Sequence, residues 1–285
     1  MISKVLIGIT TKNRESILPK AIESALSQDY TNKEIIIFDD ASTDNTDFLQ
    51  NRFKNVKWIN SKESKGLLYA RNLFLEMTSA VYFCSLDDDA WFLKKDAITI
   101  GVAYMEKNPT VAVVGYDMLS PECPEIKQDN IEACLSNNFI GCGHLLRIQQ
   151  VKIVGKYIPL PGFYGSEEKD LVIRLMDFGF EIVKLKGLYV WHDKTNISRN
   201  LFLQHRSGVC NDLVFMLRRT PIIFLIPSFF AKILKHLIFS IKSKDDKMFK
   251  AFLNGILDFI IFIFKEKVNR KPVKISTFKN YLSFN

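Results

Sequence analysis

The chain has 285 residues, 47% hydrophobic and 25% charged, which is enough to bury a full core and excludes a disordered or low-complexity protein. Its net charge of +8 admits nucleic acid, an anionic membrane surface or phosphorylated substrates as partners. The five cysteines, at 84, 123, 134, 142 and 210, show no Cys-x-x-Cys spacing beside clustered histidine, so they argue against a disulfide framework or zinc site and read as inert thiols of a reduced cytosol.

Met1 leads straight into a strand pattern with no charged leader or cleavage site, so no secretory signal is read and the catalytic part is expected to face the cytoplasm. Residues 4–9 are apolar and rich in β-branched side chains, which predicts a strand buried on both faces, followed by the loop Thr10-Thr11-Lys12-Asn13-Arg14. Apolar residues then recur at helical spacing from Ile17 to Leu26. A second strand, 34–38, ends in Asp39-Asp40, and Ser42 or Thr43 is placed to cap the next helix. Residues 56–60 give a third strand, and Gly66 opens another helix that carries Arg71.

The fourth strand, 80–86, stops at Asp87-Asp88-Asp89. Three adjacent carboxylates repel one another and gain nothing at the end of a buried strand. A bound cation supplies a reason, because an Asp-x-Asp presents hard oxygens to Mg²⁺ or Mn²⁺ while a diphosphate completes the shell. Taken alone, the run fits an ordinary acidic turn equally well. Strands alternating with helices predict βαβ units and a mainly parallel sheet, whose right-handed crossovers bring the loops 10–14, 39–45 and 87–89 to one edge.

Further along, the pattern gives a helix over 94–106, a strand at 111–115, an irregular connection over 120–128 and a strand at 139–146 whose small residues permit close approach. Ser166-Glu167-Glu168-Lys169-Asp170 opens a helix, where the acids either serve only the helix dipole under a Ser166 N-cap or take part in chemistry. A strand at 181–185 precedes Trp191-His192, and His192 alone reads either as a satisfied polar residue or as a ligand.

From Thr220 the composition turns apolar in two runs interrupted by Lys232, Lys235 and Asp258. A spanning helix needs about 20 apolar residues, and a central charge costs about 2.5–3.5 kcal/mol. Both runs therefore read as helices lying in a membrane interface, or alternatively as a helical appendage packed on the catalytic domain or on a second copy in a homo-oligomer. Residues 270–285 read as a short tail. The division expected is a catalytic domain over 1–205 and a helical, amphipathic region over 206–285.

Taken together, Thr10 to Arg14, the helix 21–28, residues 34–46, residues 66–72, Leu86-Asp87-Asp88-Asp89, residues 165–175 and Trp191-His192 resemble the inverting family 2 glycosyltransferases. That resemblance covers about 200 residues and implies the GT-A fold, an α/β domain with a mainly parallel sheet. It implies that Thr10, Asp39 and Asp40 hold the nucleobase and ribose of the donor, with Arg71 near the base and Thr11, Arg14 and Asp88 in the same donor-binding set. Asp87 and Asp89 match the ends of the Asp-x-Asp, with Asp89 the direct ligand of Mn²⁺ or Mg²⁺, and His192 completes the metal or diphosphate environment. Glu168 matches the catalytic base, a position usually held by Asp, and Glu167 beside it keeps that assignment open. Asp170 reads as structural, with Arg174 pairing one of these acids.

The resemblance also implies a nucleotide-sugar donor, a UDP-sugar favoured over dTDP- or GDP-sugars, and a glycan or lipid-linked acceptor, with the protein peripheral on the inner face of the cell membrane. Two other readings stand beside it. A sugar-phosphate nucleotidyltransferase would want a Gly-rich loop after the first strand, where residues 10–14 hold no glycine. A catalytically idle nucleotide-sugar scaffold would not need the acids at 87, 89 and 168. Nucleic acid ranks last, since no recognisable motif supports it.

Overall fold

A computed structural model describes residues 2–128, 130–162, 165–194, 200–266 and 268–284. In chain order it shows β1 (Val5–Thr11), α1 (Leu18–Leu26), β2 (Lys33–Asp39), a 3-10 turn leading into α2 (Leu49–Arg52), β3 (Lys57–Asn60), α3 (Leu67–Met77), β4 (Tyr82–Asp87), β5 (Ala90–Phe92) and α4 (Ala97–Lys107). There follow β6 (Val111–Leu119), β7 (Glu132–Leu135), β8 (His144–Arg147), α5 (Ile148–Ile153), α6 (Glu167–Asp177) and β9 (Glu181–His192). Four helices close the chain: α7 (Leu201–Arg219), α8 (Ile222–Lys242), α9 (Asp246–Lys265) and α10 (Ile275–Ser283).

Contacts divide the chain into two compact units, Met1–Lys156 with Gly179–Thr195, and Tyr157–Phe178 with Asn196–Asn285. The partition differs from the compositional boundary at 205/206, because α6 contacts α7 and α10 and so belongs with the C-terminal helices.

In the first unit, the described strands form one sheet in the order β3-β2-β1-β4-β8-β6-β9-β5, with β7 on β9. The part from β3 to β4 is parallel, as successive βα units require. Beyond it the sheet is mixed, since β8 runs antiparallel to both β4 and β6. β1 is buried on both faces, as its apolar run predicts. Its odd residues Val5, Ile7 and Ile9 share a core with Leu18, Ala21, Ile22 and Ala25 of α1. Its Gly8 has no alternative, because a Cβ there would come within 2.6 Å of the Phe74 ring of α3. Register places Thr10 opposite both Phe38 and Asp87, and Thr11 opposite Asp39. The ends of β1, β2 and β4 therefore stand at one height on one edge.

The second unit is helical. Val209, Cys210, Leu213 and Val214 of α7 pack with Phe252 and Phe259 of α9, while Ile173, Phe215, Met216, Val273 and Phe278 form another cluster.

Several local expectations change. The strand expected at 139–146 shrinks to β8, because Gly143 adopts φ +81° and breaks it, and β9 extends well past 185. Asp44, rather than Ser42 or Thr43, caps the next turn by accepting the Thr46 N–H. The apolar run from Ile222 continues through Pro227 and Lys232 as one helix of 21 residues, by length and composition enough to cross a membrane. The expected tail contains α10, held by Phe278 at 1% exposure and by the Thr277 hydroxyl donating to Asp177 (2.7 Å). Its last residue, 285, lies outside the described ones.

Candidate active site

Asp87 is the last residue of β4, and Asp88 and Asp89 form the turn before β5. β5 pairs with the end of β9, Ala90 opposite His192, which sets His192 Nε2 3.1 Å from Asp89 Oδ1. The Asp193 N–H donates to the Asp89 carbonyl (2.9 Å) and fixes the turn. From the loop after β1, Arg14 Nη1 comes to 3.9 Å from Asp89 Oδ2. Arg71, buried on α3, holds Nη2 at 3.7 Å from Asp87 Oδ1 and donates to the Gly141 carbonyl (2.9 Å) and the Ser85 hydroxyl (3.2 Å).

Arg14 thus faces Asp89, and Arg71 faces Asp87, across the run of three carboxylates. Burial pushes the Asp88 carboxyl up to about 7, with Asp89 and Asp87 adding to the rise and Arg14 opposing it.

A residue that sequence reasoning missed completes the cluster. A carboxylate oxygen of Asp87, Cys142 Sγ and a ring nitrogen of His192 lie within 4.8 Å of one another. Burial raises the Cys142 thiol well above its ordinary value, Asp87 and Asp89 add to this, and Arg71 opposes. The signal available in the sequence was Gly141-Cys142-Gly143, small residues that let the backbone come close. Carboxylate, imidazole and sulfur donors at this spacing fit a divalent ion.

On the neighbouring strands, Asp39 Oδ1 accepts the Ser42 N–H (2.9 Å). Asp40 is more fully committed: it accepts from the Lys65 N–H (2.6 Å), the Gly66 N–H (3.1 Å) and the Ser64 hydroxyl (2.7 Å), and its own N–H donates to Thr11 (2.8 Å). Asp40 thereby ties the loop before α3 to the end of β1. Thr10, Thr11, Arg14, Asp39, Asp40, Arg71, residues 87–89 and His192 all fall in the first unit.

Glu167 and Glu168 open α6 in the second unit, both half-buried. Ser166 does not cap that helix as expected, because its φ of +72° turns the hydroxyl away from the first-turn N–H groups, and it donates to Asp212 of α7 instead. Asp212 also receives Lys169 (2.7 Å), His236 (3.1 Å) and Lys232 (3.3 Å). Desolvation draws the Asp212 carboxyl up, but the His236 hydrogen bond and the two lysine charges outweigh it and hold the group well below its usual range. Asp170 is structural, as expected, with Arg174 Nε at 2.8 Å and Arg219 Nε at 2.6 Å.

The family model described as Glycosyl transferase family 2 matches residues 6–151, just over half of the chain, including the ends of β1, β2 and β4 that carry Thr10, Asp39 and Asp87. The chain belongs to glycosyl transferase family 2. Glu167, Glu168 and His192 lie beyond the matched residues. Among its relatives, the chain is 40% identical over 105 residues to WfaP of Escherichia coli, a UDP-Glc:alpha-D-GlcNAc-diphosphoundecaprenol beta-1,3-glucosyltransferase, covering 36% of this chain and 41% of WfaP. Alignments with five curated relatives span between 18% and 42% of those proteins' lengths.

Solved structures show the same fold over more of the chain. The mannosyltransferase PcManGT from Pyrobaculum calidifontis, in complex with GDP-Man and Mn²⁺, superposes with a TM-score of 0.63 at 13% identity, covering 99% of this chain and 79% of that one. TarS 1–349 of S. aureus, in complex with UDP-GlcNAc, gives 0.65 at 17% identity, covering 90% and 80%. This family 2 chain has the GT-A fold, an α/β domain followed by C-terminal helices.

Proposed function

We propose that this family 2 protein is an inverting glycosyltransferase that moves one sugar from a nucleotide-sugar donor, with UDP-sugars favoured, to an acceptor hydroxyl on a glycan or lipid-linked precursor of cell-surface polysaccharide. The observation that carries the reading is the convergence of residues 87–89, His192, Arg14 and Arg71 on the strand edge that also holds Thr10 and Asp39. A nucleoside diphosphate suits such an edge. Mn²⁺ or Mg²⁺, held by Asp87, Asp89 and His192, would offset the charge developing on the departing diphosphate.

The chain's own residues do the rest. Thr10, Thr11, Asp39 and Asp40 bind base and ribose, while Arg14 and Arg71 orient the acids and the donor. Glu168, or Glu167 in its place, accepts the acceptor hydroxyl's proton as its oxygen attacks the anomeric carbon in line, inverting the centre in one displacement.

The acceptor class is supported by α8. Ile222, Ile223, Ile226, Phe230, Leu234 and Ile238 are all at least 42% exposed along one side of α8, a helix with three lysines and no acid. Such a ridge fits an anionic bilayer, into which its apolar side chains insert while the exposed Lys235 and Lys242 meet headgroups. The protein then works at the inner face of the cell membrane. The experiment is a screen of UDP-, GDP- and dTDP-sugars for Mn²⁺-dependent binding and hydrolysis by the purified chain, with and without vesicles containing anionic lipid. Failure to bind any of these donors would remove the transferase reading.

A further inference from the structure

Cys142 reads from the sequence as an inert thiol, yet the fold brings it to the acids. It arrives there because β8 runs antiparallel to β4 with Ser85 opposite His144, so the chain entering β8 passes beside Asp87. The Gly143 N–H donates to the Ser85 carbonyl (2.8 Å) and fixes that approach. Gly143 itself is irreplaceable, since its φ is +81° and a Cβ would meet Val190 at 2.7 Å. On one side Cys142 Sγ packs as a core sulfur does, 3.8 Å from Met118 Sδ. On the other it faces a carboxylate and an imidazole within 4.8 Å.

The geometry points to Cys142 as a sulfur ligand of the cation, giving this site a preference for thiophilic divalent ions over Mg²⁺. Mg²⁺ seeks near-octahedral oxygen at about 2.0–2.1 Å and gains little from sulfur. Zn²⁺, Co²⁺ and Cd²⁺ gain from a thiolate set beside an imidazole. Bonds of about 2.0–2.3 Å put donor atoms ~3–4 Å apart, which the three side chains reach by small rotations. The thiol gives its proton to solvent as the metal–sulfur bond forms. The inference rests on the cation-assisted reading above and deepens it by naming the class of ion.

The test is a Co²⁺ and Cd²⁺ titration of the full chain, followed by thiolate-to-metal charge-transfer absorbance, with calorimetric titrations of Zn²⁺ and Mg²⁺. The parent shows the band. Cys142→Ser loses it, and its ratio of Zn²⁺ to Mg²⁺ affinity falls on the order of tenfold or more through the Zn²⁺ constant alone. A band that survives in Cys142→Ser comes from another cysteine and overturns the assignment, as does an unchanged ratio. Should Cys142→Ser fail to fold, zinc-edge X-ray absorption of the parent decides instead: a sulfur at about 2.3 Å supports the assignment and a shell of only nitrogen and oxygen overturns it. Failure of the wider reading looks different, namely no donor bound by the parent with any of these ions.

Discussion

Two regions of the molecule bury acids, and they treat them in opposite ways. In the helical unit each buried carboxylate is surrounded by matched charge: Asp170 lies between Arg174 and Arg219, and Asp212 collects Ser166, Lys169, Lys232 and His236 at hydrogen-bonding distance. At the strand edge, Asp87 stands 3.7 Å from Arg71 and Asp89 3.9 Å from Arg14, and Asp88 between them is pushed up to about 7. Burial by itself does not mark a site. What separates structural acid from chemical acid is whether the fold supplies the counter-charge or leaves it to a ligand.

The comparison breaks most visibly at Asp170. Asp170→Ala removes the carboxylate that two buried guanidinium groups share and is expected to cost about 3–5 kcal/mol in denaturant unfolding. One residue pair away on the same helix turn, Glu168→Gln is expected to leave stability and donor affinity unchanged while transfer falls about 10²–10⁴-fold, read as kcat with KM for the donor constant. Full activity in that variant would move the base to Glu167. Asp89→Asn is expected to lower Mn²⁺-dependent turnover about 100-fold without lowering the melting temperature, since it relieves repulsion among the acids.

Protonation sharpens the contrast at the small end of the scale. The Asp212 carboxyl is held below its unfolded value, so its contribution to stability is present above about pH 4 and is lost as pH falls below that value. Asp212→Asn should flatten this acid limb in a melting-temperature profile. The Asp88 carboxyl is raised instead, so the folded chain binds the extra proton and loses stability as pH rises from about 4 towards 7. In chelator-treated protein, Asp88→Asn should therefore gain stability at pH 8 and none at pH 4.

What could be read before the fold was known follows the range of the interactions involved. β1, β2 and β4 announce themselves by apolar runs that stop at polar residues, and parallel βα alternation is sufficient to bring Thr10, Asp39 and Asp87 to one edge. Cys142 was illegible because its place depends on β8, a strand that pairs out of sequence order, and no local pattern gives that register. The counter-charges of Asp212 come from two other helices, α6 and α8, far apart in the chain, which no spacing rule connects. Ser166 was misread for a backbone reason, since a non-glycine residue at φ +72° is rare and its sequence neighbours carry no mark of it. The continuity of α8 was hidden by Pro227, which removes a helix hydrogen bond, and by Lys232, whose charge the fold meets with Asp212 at 3.3 Å.

The shared height of β1, β2 and β4 sets what this protein can tolerate over time. Side chains alternate faces along each strand, so deleting one residue from the middle of β4 would swing Asp87 to the far face while leaving the composition almost unchanged. Point replacements within these strands are a matter of fit, whereas changes of length are a matter of parity. Drift in chain length is therefore confined to the connections, and an engineer shortening the protein should cut there in preference to trimming even one residue from a strand.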